Sequence, residues 1–99
     1  MIPSTWKRRR DRAVSRSRKG GVDSTLADLL DVAAAIHIES ASWPDMTAVN
    51  LYLAAWQVQT VAIRYARHEI DRADAKIWIE AGTTYVENAR NERRQHEQR

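Results

Sequence analysis

Residues 45–90 read DMTAVNLYLAAWQVQTVAIRYARHEIDRADAKIWIEAGTTYVENAR, and one apolar side chain recurs along them at every seventh position: Val49, Trp56, Ile63, Ile70 and Ile77. Tyr52, Ala66 and Ala73 hold the companion positions. An apolar period of 3.5 is what a helix shows when it lies against another helix over a long distance. The spacing therefore predicts a long helix from about Asp45. Its oligomer seam is built from Val49, Tyr52, Trp56, Ile63, Ala66, Ile70, Ala73 and Ile77. Between Val49 and Tyr65, Leu51, Leu53, Ala54, Ala55, Val58, Val61 and Ala62 extend the apolar surface around almost the whole circumference. A helix of that kind is covered on more than one side. One side can take the preceding helix, and the other needs a second chain or a return of the C-terminal part. Two helices of one small monomer do not bury all of it, which points to a homo-oligomer.

Beyond Ala66 the stripe narrows and charges fill its flanks. Gly82, followed by Thr83 and Thr84, is the weak point, because glycine inside a helix costs roughly 1 kcal/mol relative to alanine. The expectation is a kink or an end there, or else a close contact at the glycine. Trp78, Ala81, Tyr85 and Ala89 form a second short stripe, so helix is expected to about Arg93. The helical domain then spans residues 22–95, with 96–99 a polar tail that frays.

Upstream, Asp23-Ser24-Thr25 supplies N-cap candidates, and Leu26, Leu29, Leu30, Ala33, Ile36 and His37 recur at helical steps on one face. Asp28, Asp31 and Glu39 are placed mostly away from that face. This predicts a helix over 25–40, stopped where Pro44 disfavours helical geometry at Trp43. Ser42 and Asp45 have capping-box spacing for the next helix, with Asp45 alone as the alternative cap. So short a link makes the two helices antiparallel neighbours. A base-reading helix-turn-helix is the sharper alternative, but Met46, Ala48, Val49, Leu51 and Leu53 are not base-reading side chains. The fold class is all-α: a helical hairpin assembling into an oligomeric, coiled-coil-like bundle.

Charge divides the chain differently. Residues 1–21 hold eight Lys and Arg against Asp11, a formal +7, while residues 22–99 hold eight bases against 12 acids, a formal −4; together they give the whole-chain +3. With no apolar period to bury, the basic arm is expected to be disordered in isolation, and Gly20-Gly21 to act as its joint. Lys7, Arg8, Arg9, Arg10, Arg12, Arg16, Arg18 and Lys19 are the candidate nucleic-acid-binding residues. Guanidinium groups pair with phosphate oxygens and displace counterions with little choice of sequence. Trp6 beside them is suited to stacking on a base. An acidic protein surface is the alternative partner for the arm.

Catalytic chemistry finds little purchase. The chain lacks cysteine, a phosphate-cradling glycine loop and a nucleophile elbow, and His37, His68 and His96 show no metal-ligand spacing. No enzyme activity, cofactor or metal is expected. Trp56 reads as core and Trp43 as a hairpin staple or partner anchor. Trp78, with Tyr85, is the candidate partner interface, since half-exposed tryptophan is enriched at such places. No stretch is long and apolar enough to span a membrane. The excess of arginine over lysine suggests a GC-rich bacterial or phage source, and with it a cytoplasmic or virion setting. The leading expectation is a non-enzymatic DNA-binding protein of phage or plasmid origin. The alternative is a structural or adaptor protein, such as a virion component or an inhibitor of a host protein.

Overall fold

The Asp23 side chain accepts the Thr25 and Leu26 amides at 3.0 and 3.3 Å and so caps α1 (Ser24–Ser40), the first helix among the described residues. A computed structural model of the chain describes residues 23–97. Two further helices follow, α2 (Met46–Ala66) and α3 (Arg72–Glu97), and the described residues contain no strand. The helix α1 is the central element, packing on both α2 and α3, which meet each other least. Its face of Leu29, Ala33, Ile36 and His37 is buried, with Leu26 and Leu30 partly so.

The link between α1 and α2 is short because each end is closed locally. Ser42 and Trp43 amides bond back to Glu39 and Ser40 carbonyls, and Asp45 alone caps α2 by accepting the Thr47 amide at 2.9 Å. Leu51, Ala55, Val58, Val61 and Ala62 turn the inner face of α2 onto the core.

The long helix breaks earlier than the sequence suggests. It ends at Ala66, not at Gly82, and the intervening residues 67–71 reverse the chain into α3. His68 adopts a left-handed φ of 62°. Its amide reaches the Tyr65 carbonyl at 3.0 Å, and the Glu69 amide reaches the Arg64 carbonyl at 2.9 Å. This is a Schellman stop with histidine where glycine is usual. Asp71 then accepts the Asp74 amide at 2.8 Å and starts α3.

Gly82 lies inside an unbroken α3 and marks the close contact. A Cβ there would sit 2.5 Å from Val32 Cγ1 on α1 and 3.7 Å from Val58 Cγ2 on α2. Ala75, Gly82 and Ala89, seven residues apart, are buried along with Val86, and Ile79 packs beside them. Of the second stripe, Ala89 belongs to this core face, while Trp78, Ala81 and Tyr85 stay exposed. Helix continues to Glu97, past the expected end near Arg93.

Candidate interaction surfaces

The arm candidates, Trp6, Lys7, Arg8, Arg9, Arg10, Arg12, Arg16, Arg18 and Lys19, lie outside the described residues. The described residues begin at Asp23, two positions beyond the arm. At Asp23, the second carboxylate oxygen accepts the Tyr65 hydroxyl at 2.7 Å, pinning the start of α1 to the end of α2. Burial pushes the Asp23 carboxyl up, but the Tyr65 hydroxyl, the Leu26 and Thr25 amides and the Arg72 charge outweigh it and hold it below its ordinary value. Beside this contact is an open hollow of about 1010 Å³, whose rim carries Asp23, Glu69, Asp71 and Asp74 against His68 and Arg72. The surface at the start of the described residues is thus predominantly acidic.

At the opposite end Glu39 is only 3% exposed, although the helical pattern placed it away from the core. Arg93 Nε and Nη2 donate to its two oxygens at 2.6 and 3.2 Å, and Trp43 Nε1 donates at 3.0 Å. Arg90 stands 3.8 Å away. Burial raises the Glu39 carboxyl, yet the bonds from Arg93 and Trp43 and the two arginine charges leave it below its ordinary value. Arg93 is correspondingly raised by its bonds to Glu39 and Glu97. This cluster joins α1, the turn and α3. No sequence signal marks it, because Arg93 lies 54 residues from Glu39.

The predicted seam residues separate into two groups. Val49, Trp56 and Ile63 lie on the outward face of α2 at 45%, 40% and 48% exposure, Tyr52 is half-buried beside them and Ala66 is exposed. Trp56, expected in the core, instead caps buried His37 edge-on with ring centroids 5.9 Å apart, and Tyr52 meets His37 at 5.0 Å. Ile70 falls in the connection, while Ala73 and Ile77 belong to α3. The break at residues 67–71 means that these eight positions do not share one helix. On α3, Trp78 and Tyr85 are two turns apart and both partly exposed, with Ile77 adjoining.

Among the described residues no group of three or more His, Asp or Glu is arranged to hold a metal ion, and no helix is long and apolar enough to cross a membrane. Comparison of the chain with protein-family models, with curated proteins and with solved structures finds no match.

Proposed function

We propose that this is a non-enzymatic binding protein whose arginine-rich arm holds the phosphate backbone of nucleic acid while the helical body supplies a rigid mount. The observation that carries the reading is charge segregation: a formal +7 in residues 1–21 beside a body of −4. Some cations of the body are also engaged by its own acids. Arg93 bonds Glu39 and Glu97, and Arg64 stands 3.8 Å from Glu69. With acids around its root, the arm binds phosphate away from the body, since duplex laid on the Asp23–Asp74 rim meets like charge. Binding of this kind is salt-sensitive and indifferent to base sequence. A bacterial or phage-infected cell, or a virion, is the setting this suits.

The test is duplex binding by the full chain and by a variant with Arg8, Arg9, Arg10 and Arg12 all changed to alanine. The variant should keep its helicity, and its log K against log salt slope should fall by about 3 to 4. Equal binding by both proteins would sink the reading. A second reading, an adaptor acting through helical protein contacts, is favoured by the exposed Trp78, Tyr85 and Ile77 on α3. In that case Trp78→Ala abolishes partner binding, and the arm substitutions matter little.

A further inference from the structure

We infer that the outward face of α2 pairs with the same face of a second copy, the two helices running antiparallel. Six exposed positions carry the inference: Met46, Val49, Leu53, Trp56, Thr60 and Ile63. Their steps alternate three and four, the a and d positions of a heptad, over the length of the helix. Core-facing Leu51, Ala55, Val58 and Ala62 occupy other heptad positions, so the stripe remains available after the monomer has folded. This is a different surface from the eight-residue seam that the sequence suggests, because it ends with α2 and includes Met46 and Leu53.

The second copy is chosen by self-complementarity. Antiparallel pairing about the midpoint of the stripe sets Met46 against Ile63, Val49 against Thr60 and Leu53 against Trp56. Every large side chain then meets a smaller or flexible one. Parallel pairing would instead set Trp56 on Trp56 and Arg67 on Arg67. The charges agree: α2 carries no acid or base from Met46 to Ile63, Asp45 precedes it, and Arg64 and Arg67 follow. Antiparallel pairing brings each Asp45 end beside the arginine end of the other copy, and opposes the helix dipoles.

Size is sufficient. Met46 is 67% exposed and Leu53 56%, and with Val49, Trp56 and Ile63 they leave an apolar patch on the order of 500 Å². Two such patches, with Asn50, Tyr52 and Gln57 at their margins, approach the roughly 1,200 Å² at which specific interfaces begin. Trp56 is already held against His37 and Tyr52, so less side-chain freedom is lost when it is covered.

The pairing stands without the arm. If the arm also binds phosphate, the pair has a further consequence. Asp23 is tied to Tyr65, so the two arm roots lie at opposite ends of the paired helices, roughly 30 Å apart at 1.5 Å per residue. That is close to one turn of duplex, about 34 Å.

Sedimentation of the full chain without nucleic acid, over a range of concentrations, tests the pairing. The expected result is a reversible dimer, with its dissociation constant raised at least tenfold by Leu53→Glu and little changed by Ile77→Glu on α3. Circular dichroism of each variant confirms that the fold persists. Because the chain has no cysteine, orientation is read by oxidative cross-linking. Met46→Cys mixed with Ile63→Cys should give a mixed cross-linked dimer, and either variant alone should give little. A chain that stays monomeric, a dimer broken by Ile77→Glu but not by Leu53→Glu, or cross-links only between identical positions would each overturn the proposal. Failure of DNA binding would leave these results unaffected.

Discussion

Glu39 shows how a buried charge is held: the arginine fork and the indole N–H occupy both carboxylate oxygens. Replacing Glu39 by alanine removes those acceptors and leaves Arg93 without its main partner. A loss of about 2 kcal/mol is expected in urea unfolding, tempered because Arg93 stays partly exposed to water. The pH dependence has two steps. Burial lowers His37 below its ordinary 6.5, so the unfolded chain takes up this proton first, and stability falls as pH drops below that value. Asp23 and Glu39 are also lowered, so their contribution is present above the ordinary carboxylate range and is lost as pH falls through their folded values. Unfolding measured from pH 7.5 to 3 should show both declines, and His37→Phe should remove only the upper one.

Among the elements, the stop of α2 and the passage of α3 over α1 invite single substitutions. His68 pays for a left-handed backbone that glycine adopts freely, so His68→Gly should be neutral or stabilising by up to about 1 kcal/mol, whereas His68→Val should destabilise by about as much or more. Gly82→Ala gains helix propensity but drives a methyl into the stiff Val32 side chain. The expected net loss is about 1 kcal/mol, read from the thermal midpoint. These two positions also show what the sequence conveys. The cap at Asp23 and the turn at Pro44 are legible from local chemistry, whereas Asp45 as sole cap and the close contact at Gly82 are each one of the alternatives that local chemistry leaves open. The break at residues 67–71 is not, because Arg-His-Glu-Ile-Asp contains neither glycine nor proline. On α3 the large Trp78 and Tyr85 are legible as an outward stripe, but the core face is not, because Ala75, Gly82 and Ala89 are small and give a weak apolar signal.

At the scale of the molecule, the three helices of the described residues enclose a core around α1 and leave apolar side chains outside it on α2 and α3. The sequence conveys that excess of apolar surface, and the structure divides it between two faces. The clamp at Glu39 escapes a linear reading because its partners meet only when the ends of α1 and α3 come together. Charge is visible without coordinates: the basic arm and the acidic body differ by eleven formal charges, and the acids around Asp23 stand at their junction.

The most direct test of the nucleic-acid reading is the salt dependence of duplex binding by the full chain. With most of the arm's eight cations on phosphate, log K should fall against log salt with a slope of about −5 to −7, and change little with base sequence. No binding at low salt, or a slope near zero, would contradict the account.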